Sequence, residues 1–144
     1  MKFALALVLL APGINCRRNF AARETTAQDL IGNIEMACKI YERDWGAFPP
    51  MDPAGFESGP CVAALSWLNK KKQPYIEFMP VDVATWPISP SSHLRNPVRP
   101  GATIKYCGPG AHKRNSVDLW CEDGQGNPSG INNWNAETNR PRRR

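Results

Sequence analysis

The sequence contains few of the residues from which enzymes build active sites. Its 144 residues include only two histidines, His93 and His112, and these fall in separate predicted loops. No cysteine pair has the two-residue spacing of a usual zinc site, and no cysteine lies in a nucleophile signature. No nucleotide-binding fingerprint occurs, since Gly108-Pro109-Gly110 lacks the helix that must follow a phosphate-binding loop. The sequence therefore predicts no catalytic residue, no cofactor-binding residue and no enzyme activity.

Long hydrophobic runs are also scarce. The apolar run MKFALALVLLAP at residues 1–12 is about half the length of roughly 20 residues that a membrane-spanning helix needs. One interpretation is a signal-peptide core, although no clean cleavage site follows it and PGINC is a poor lipoprotein box. The other is the end of a longer membrane helix, which continues into the next helix through a kink at Pro12-Gly13.

The charge pattern gives no indication of nucleic-acid binding. Eighteen basic and 13 acidic residues leave a net charge of +5, with basic clusters at residues 70–72 and 140–144. Nucleic-acid binding would need aromatic residues interleaved with basic ones on one face, and no such stripe occurs. We interpret both clusters as solvated surface and expect residues 136–144 to form a disordered basic tail.

Residues 22–50 have the pattern of one amphipathic helix that ends at a marked boundary. Apolar side chains recur at steps of three and four and form one stripe: Leu30, Ile31, Ile34, Ala37, Cys38, Tyr41 and Trp45. The polar positions between them are expected to face water: Glu35, Lys39, Glu42 and Arg43. Gly46 can adopt the left-handed conformation, and Pro49-Pro50 prevents the helix from continuing. Such a stripe needs a partner surface, which we expect a sheet to supply.

The later residues predict short elements joined by long connections. Residues 61–68 have a helical pattern, and residues 75–78 form a brief strand candidate. An antiparallel hairpin is predicted from residues 102–107 and 117–121, with Val117, Leu119 and Cys121 on one face and Asp118 and Trp120 on the other. Fourteen prolines favour irregular connections over a compact α/β enzyme. The predicted fold class is α+β, with one long N-terminal helix packed on a small antiparallel sheet.

The five cysteines suggest a disulfide hypothesis. Cys107 and Cys121 lie on the two predicted strands, whereas Cys38 and Cys61 lie on the two predicted helices. We predict that one or both of these pairs form disulfides and that Cys16 is the odd one, which an oxidising compartment would favour. Buried, unpaired cysteines are the alternative.

The loop after the last predicted strand is the one candidate metal site. It gathers oxygen-bearing side chains within a short span: Asp118, Glu122, Asp123, Gln125 and Asn127. Gly124 and Gly126 let backbone carbonyls turn inward, and Ca²⁺ takes six to eight oxygen ligands from loops of this kind. The loop is not an EF-hand, because the distal bidentate glutamate is missing. A polar turn without an ion is the alternative.

The order of these features resembles the type IV pilin-like proteins, most closely the major pseudopilins of type II secretion. LALVLLAP leads into QDLIGNIEMACKIYERDWGAFPP, which is similar to the family's helix ending in a tyrosine, an acidic residue and an aromatic-proline pair. VAALSWL resembles its short second helix, and Asn96-Pro97 with Pro100-Gly101 and IKY resembles its Asp-Pro-Trp-Gly segment and first strand. VDLWCEDGQG resembles its strand and Asp-Gly loop, and residues 131–134, INNW, its terminal Ile-Gly-Asn-Trp. The likeness covers most of the chain in order.

The resemblance implies a structural subunit of a pseudopilus or related filament that supports protein export. Such a subunit is anchored in the inner membrane with a periplasmic domain, and its partners are copies of itself, other pseudopilins and secretion-machinery proteins. The implied segments are a truncated membrane and assembly helix at residues 1–23, a pilin-like globular domain at 24–135 and the tail at 136–144. Assembly would rest on Leu5, Leu7, Val8, Leu9 and Leu10. Structural anchors would be Tyr41, Trp45, Pro49 and Trp134.

The chain departs from the family pattern in two places. The prepilin cleavage motif, a glycine followed by phenylalanine and a nearby glutamate, is absent. Two interpretations follow: the sequence begins at an internal start, or the protein is a soluble relative that does not polymerise. Ser129 and Gly130 stand where the family has acidic calcium ligands. Asp123 is the sole ligand carried over, and since ligand charge sets affinity, calcium binding is expected to be weakened or lost.

A second function is compatible with the same residues. Residues 1 to about 16 could be a removed signal peptide, and the remainder a small disulfide-stapled secreted or periplasmic binding module. The N-terminus of the mature protein distinguishes the two hypotheses.

Overall fold

A computed structural model describes the backbone of residues 13–135 and the side chains from residue 18 onward. The predicted assembly residues Leu5, Leu7, Val8, Leu9 and Leu10 lie outside the described residues. So do the predicted basic tail at 136–144 and, for its side chain, Cys16.

The long helix is confirmed as α1, which spans Gly13–Trp45 without interruption. The first part of the predicted stripe is buried, together with Ala27 one turn earlier: Leu30, Ile31, Ile34, Ala37 and Cys38. The helix ends as its sequence predicts. Gly46 has a φ of +74°, a conformation that favours glycine, and its N–H donates to the Glu42 carbonyl at 2.7 Å.

The predicted hairpin is confirmed, and a third strand extends it. Strands β1 (Ile104–Cys107), β2 (Asp118–Glu122) and β3 (Pro128–Asn132) form one antiparallel sheet in the order β1-β2-β3. Tyr106 lies opposite Leu119, and Trp120 lies opposite both Lys105 and Asn132. The sequence predicts a loop for the polar, glycine-containing residues of β3. They form a strand because they pair with β2, and Gln28 of α1 also donates to the Asn132 carbonyl at 2.9 Å.

The second helix is shorter than predicted, and the strand candidate at 75–78 does not form. Helix α2 spans Gly59–Leu65, and the Asn69 side chain then donates to the carbonyls of Ala64, Ser66 and Gln73, which closes the chain into turns. The Tyr75 N–H donates to the Leu65 carbonyl at 2.8 Å, so this segment covers the end of α2 instead of joining a sheet. The connection that follows is held by isolated bridges such as Val83 to Leu94.

The core lies between the α1 stripe and one face of the sheet. Val117, Leu119 and Cys121 face it, as predicted, while Asp118 and Trp120 face away from it and contact His112, Phe56 and Trp134. This arrangement confirms the α+β class and the packing of the long helix against the hairpin.

The predicted anchors hold the end of the helix. Tyr41 stacks on Trp45, and Trp45 Nε1 donates to the Tyr75 hydroxyl at 2.8 Å. The buried Tyr106 hydroxyl donates to the Pro49 carbonyl at 2.7 Å. Trp134 instead lies outside the core, stacked on His112 with 4.2 Å between ring centroids.

The start of α1 projects from this body. Between residues 18 and 26 all side chains are exposed apart from the half-buried Glu24, whereas Ala27 and Leu30 are buried against the sheet. Among the described helices, none is both long and apolar enough to cross a membrane.

Candidate functional site

Asp123 begins the tight turn that joins β2 to β3. Its Oδ1 accepts the N–H groups of Gln125 at 2.8 Å and Asn127 at 3.0 Å, and its own N–H donates to the Asn127 carbonyl. These hydrogen bonds, with the nearby Arg99 charge, lower the pKa of the Asp123 carboxyl. The carboxylate therefore stabilises the backbone of its own turn by accepting these hydrogen bonds.

Two of the other predicted oxygen ligands, Asp118 and Glu122, do not converge on Asp123. Asp118 is buried at the opposite end of β2, where it accepts the N–H groups of His112 at 2.8 Å and Lys113 at 3.0 Å. Glu122 faces Lys105, with 3.9 Å between Oε2 and Nζ. The predicted five-residue ligand cluster is therefore wrong, because a five-residue strand separates its two aspartates by about 16 Å.

The residues present do not fit a calcium ion that the family resemblance implies. Ca²⁺ needs several oxygens around one point, and in the part of the chain that the structure describes no group of three or more acidic, histidine or cysteine side chains could hold a metal. Asp123 stays the single predicted ligand.

Beside the Asp123 turn, the structure shows a feature that the sequence did not predict. A groove of about 900 Å³ separates the projecting part of α1 from β3 and the residues around Arg99. Its apolar wall includes Phe20, Val98, Cys121 and Ile131. The lining also includes charged and polar residues, among them Glu24, Gln28, Asn96, Arg99, Glu122 and Asp123. No sequence signal marks this groove, because its walls come from four separate stretches of the chain.

The cysteine in the groove lining is not an activated nucleophile. Burial raises the pKa of the Cys121 thiol to about 12, so the reactive thiolate is scarce near neutral pH. Arg99 donates to the Asp123 carbonyl, which ties one wall of the groove to the turn. A lining that combines apolar and charged side chains suits packing against another surface.

Each histidine faces a carboxylate, in separate loops as predicted. His112 Nδ1 lies 3.0 Å from Asp118 Oδ2, and His93 Nδ1 lies 3.8 Å from Glu57 Oε2. Glu57 also accepts hydrogen bonds from Lys105 and Thr103. Burial alone would raise the pKa of Glu57, but these bonds and the Lys105 charge outweigh it and lower the pKa. The Glu57 carboxylate thus stays ionised and holds β1 to the loop before α2.

The sheet register excludes one of the two predicted disulfides. Cys107 lies opposite Asp118, and Cys121 lies opposite Ile104, so the two cysteines are three positions apart along the ladder and face opposite sides of the sheet. A disulfide needs Cα atoms within about 7 Å and facing Cβ atoms, so the prediction for this pair is wrong. In the structure Cys38, Cys61, Cys107 and Cys121 are free thiols. Cys38 and Cys61 are in contact, with 3.9 Å between their Sγ atoms.

A charged network that the sequence did not predict fastens the helix to the sheet. Glu35 was expected to face water, but its Oε1 accepts from Lys113 Nζ at 2.6 Å and from the Ser116 hydroxyl at 2.8 Å. Lys113 Nζ also donates to the Asn133 carbonyl at 3.2 Å. Glu35 also pairs with Lys39 one turn later in α1, at 3.4 Å. Glu35 therefore connects α1 to the loop before β2 and, through Lys113, to the segment after β3.

Comparison with known proteins adds no relative: no family model, no curated protein and no solved structure matches the chain.

Proposed function

We propose that this chain is a structural, non-enzymatic subunit of a pilin-like filament, of the kind that type II secretion uses for protein export. Its body would lie in the periplasm and its leading helix in the inner membrane and the filament core. The observation that carries the proposal is the shape of α1. One unbroken helix packs against the sheet from Ala27 onward, yet continues outward for more than three turns before it.

The projecting part of α1 is suited to packing against other copies. Phe20 is 50% exposed, and Ala21 and Ala22 beside it are small residues that let helices approach closely. A helical segment this short is marginally stable in water by itself, so neighbours that cover it would stabilise it. The apolar residues 1–12 precede it directly in the sequence.

Contacts between α1 and the sheet would transmit a force that is applied along the projecting part of α1. The Glu35 network attaches the sheet to the middle of α1, and the Tyr106 hydroxyl, which donates to the Pro49 carbonyl, attaches it to the segment that follows α1. A push along the helix would therefore move the whole body as a unit, which filament extension requires.

Export by the native cells tests the proposal. We expect deletion of the gene to reduce the exported protein in the culture supernatant and the full chain to restore it. Leu7→Glu with Leu9→Glu should fail to restore export and should give no filaments on overproduction, because charges at an apolar helix contact cannot be desolvated. Leu7→Ile with Leu9→Ile is the matched control. Unchanged export in the deletion strain would contradict the proposal.

The groove favours one second function, that of a secreted binding module. Its volume of about 900 Å³ is within the range of small-ligand sites. Mass spectrometry of the mature protein separates the two functions: a binding module would begin near residue 16, whereas a filament subunit keeps residues 1–12.

A further inference from the structure

Two thiols from different helices meet inside the core. Cys38 on α1 and Cys61 on α2 are both 0% exposed, and their Sγ atoms lie 3.9 Å apart. The two sulfurs of a disulfide lie about 2 Å apart, so an approach of about 2 Å separates this contact from a covalent bond. The two residues are 23 positions apart, and the chain between them includes the end of α1 and the 46–58 loop.

We propose that Cys38 and Cys61 form a disulfide in an oxidising compartment, and that this bond fastens α2 and the 46–58 loop to α1. The proposal does not depend on filament assembly. Among the described cysteines, a sulfur–sulfur contact joins Cys38 and Cys61, whereas Cys107 and Cys121 face opposite sides of the sheet. Cys38 and Cys61, in contrast, already face each other across a packed interface.

The chemistry requires a disulfide oxidant. A Cys38 or Cys61 thiolate attacks a small disulfide such as oxidised glutathione and forms a mixed disulfide, with one glutathione thiol leaving. The second protein thiol then displaces the other glutathione. One S–S bond forms in the protein and one breaks in the oxidant, and the two electrons and two protons pass to the two glutathione thiols.

Burial decides when this reaction occurs. The pKa of Cys61 is raised well above its ordinary value, first by burial and then by the neighbouring Cys38 thiol, so the folded protein contains little Cys61 thiolate. Oxidant access also requires α2 to separate from α1. This helix has only seven residues, and the Ser58 side chain makes no capping bond to it, so local opening there is feasible. We therefore expect fast crosslinking during refolding and slow crosslinking of the folded protein.

Peptide mapping of the full chain gives the direct test. The protein is refolded with oxidised glutathione, its free thiols are alkylated, and it is digested with trypsin without reductant. We expect peptide 24–39 to be linked to peptide 44–70, with the loss of two hydrogen atoms in mass and separation on reduction. Finding Cys38 and Cys61 alkylated, or joined mainly to other cysteines, would overturn the proposal.

Thermal unfolding supplies a second measurement. Closing a loop of this length should raise the melting temperature of the oxidised protein by roughly 10 °C over the reduced protein. Cys38→Ala and Cys61→Ala should each abolish this difference, whatever either costs the reduced protein. Cys121→Ala is the matched control, because Cys121 is as buried but touches no other described thiol, and it should keep the difference. A difference that persists in either Cys38→Ala or Cys61→Ala would contradict the proposal, and one variant suffices if the other does not fold.

Discussion

Glu35 of the long helix and Lys113 of the loop before β2 form an ion pair, with 2.6 Å between Glu35 Oε1 and Lys113 Nζ, although 78 positions separate them in sequence. The pair connects the middle of α1 to the loop that precedes β2. Because the Glu35 side chain is only 13% exposed, removing one partner leaves the other as a partly buried, unpaired charge, which costs more than breaking an exposed pair.

Removing either partner should destabilise the protein. We expect Glu35→Ala to lower the free energy of unfolding by about 1–3 kcal/mol, since it leaves Lys113 and Ser116 without their acceptor. Glu42→Ala on the exposed side of the same helix should change it by less than about 0.5 kcal/mol. Urea unfolding of the variants measures both. Equal changes in the free energy of unfolding for the two substitutions would show that the Glu35 network does not contribute to stability.

The same carboxylate should make stability depend on pH. Burial alone would raise the pKa of Glu35, but hydrogen bonds from Lys113, Ser116 and Asn133 outweigh it, and the pKa lies below its ordinary value of 4.5. A lowered pKa means that the stabilisation is present above pH 4.5 and is lost as the pH falls through the folded-state value. Glu35→Gln should therefore lose less stability than the wild type between pH 5 and 3, measured by thermal melts. A parallel decline in both proteins would contradict this expectation.

Two glycines should respond in opposite directions to alanine. A Cβ at Gly110 would overlap the buried Asp118 carboxylate, so Gly110→Ala should cost about 1–3 kcal/mol. Gly32 lies on the exposed side of α1, and a Cβ added there would meet no atom within 4 Å, so Gly32→Ala should stabilise by roughly 0.5–1 kcal/mol. Chemical unfolding compares the two. A stable Gly110→Ala variant would mean that the loop does not enclose Asp118 as closely as the structure shows.

Calcium should leave the protein nearly unchanged. Asp123 Oδ1 is already hydrogen-bonded within its turn, and the other two predicted carboxylates, Asp118 and Glu122, face other partners. We expect the same melting temperature in millimolar Ca²⁺ and in excess chelator, for the wild type and for Asp123→Asn alike. A rise with Ca²⁺ that Asp123→Asn removes would show that the turn rearranges to bind the ion.

The sequence predicted those parts of the fold that local patterns determine. The stripe of Leu30, Ile31 and Ile34 requires a helix with a covered face, and the alternation of Val117, Leu119 and Cys121 requires a half-buried strand. Strand β3 could not be foreseen, because Ser129 and Gly130 have little intrinsic preference for strands and are extended only through pairing with β2.

Long-range contacts account for the other differences. No residue near Glu35 in the sequence indicates that Lys113 contacts it. The helical pattern alone therefore predicted that Glu35 faces water. Asp118 and Asp123 are close in sequence, yet the strand between them carries them to opposite ends of the sheet. The groove wall at Arg99 likewise depends on where the proline-rich connection returns, which no local pattern specifies.

The most direct test of filament assembly uses a photo-crosslinking amino acid on the projecting part of α1. Phe20 on the projecting helix and Phe56 on the body are both 50% exposed, so they form a matched pair of sites. With p-benzoylphenylalanine at position 20 of the full chain in native cells, we expect ultraviolet light to give a ladder of dimers, trimers and larger species. The same group at position 56 should give far fewer such products. If the group at position 20 gave only monomers, in cells whose export depends on the protein, the proposed packing of the projecting part of α1 against further copies would be contradicted.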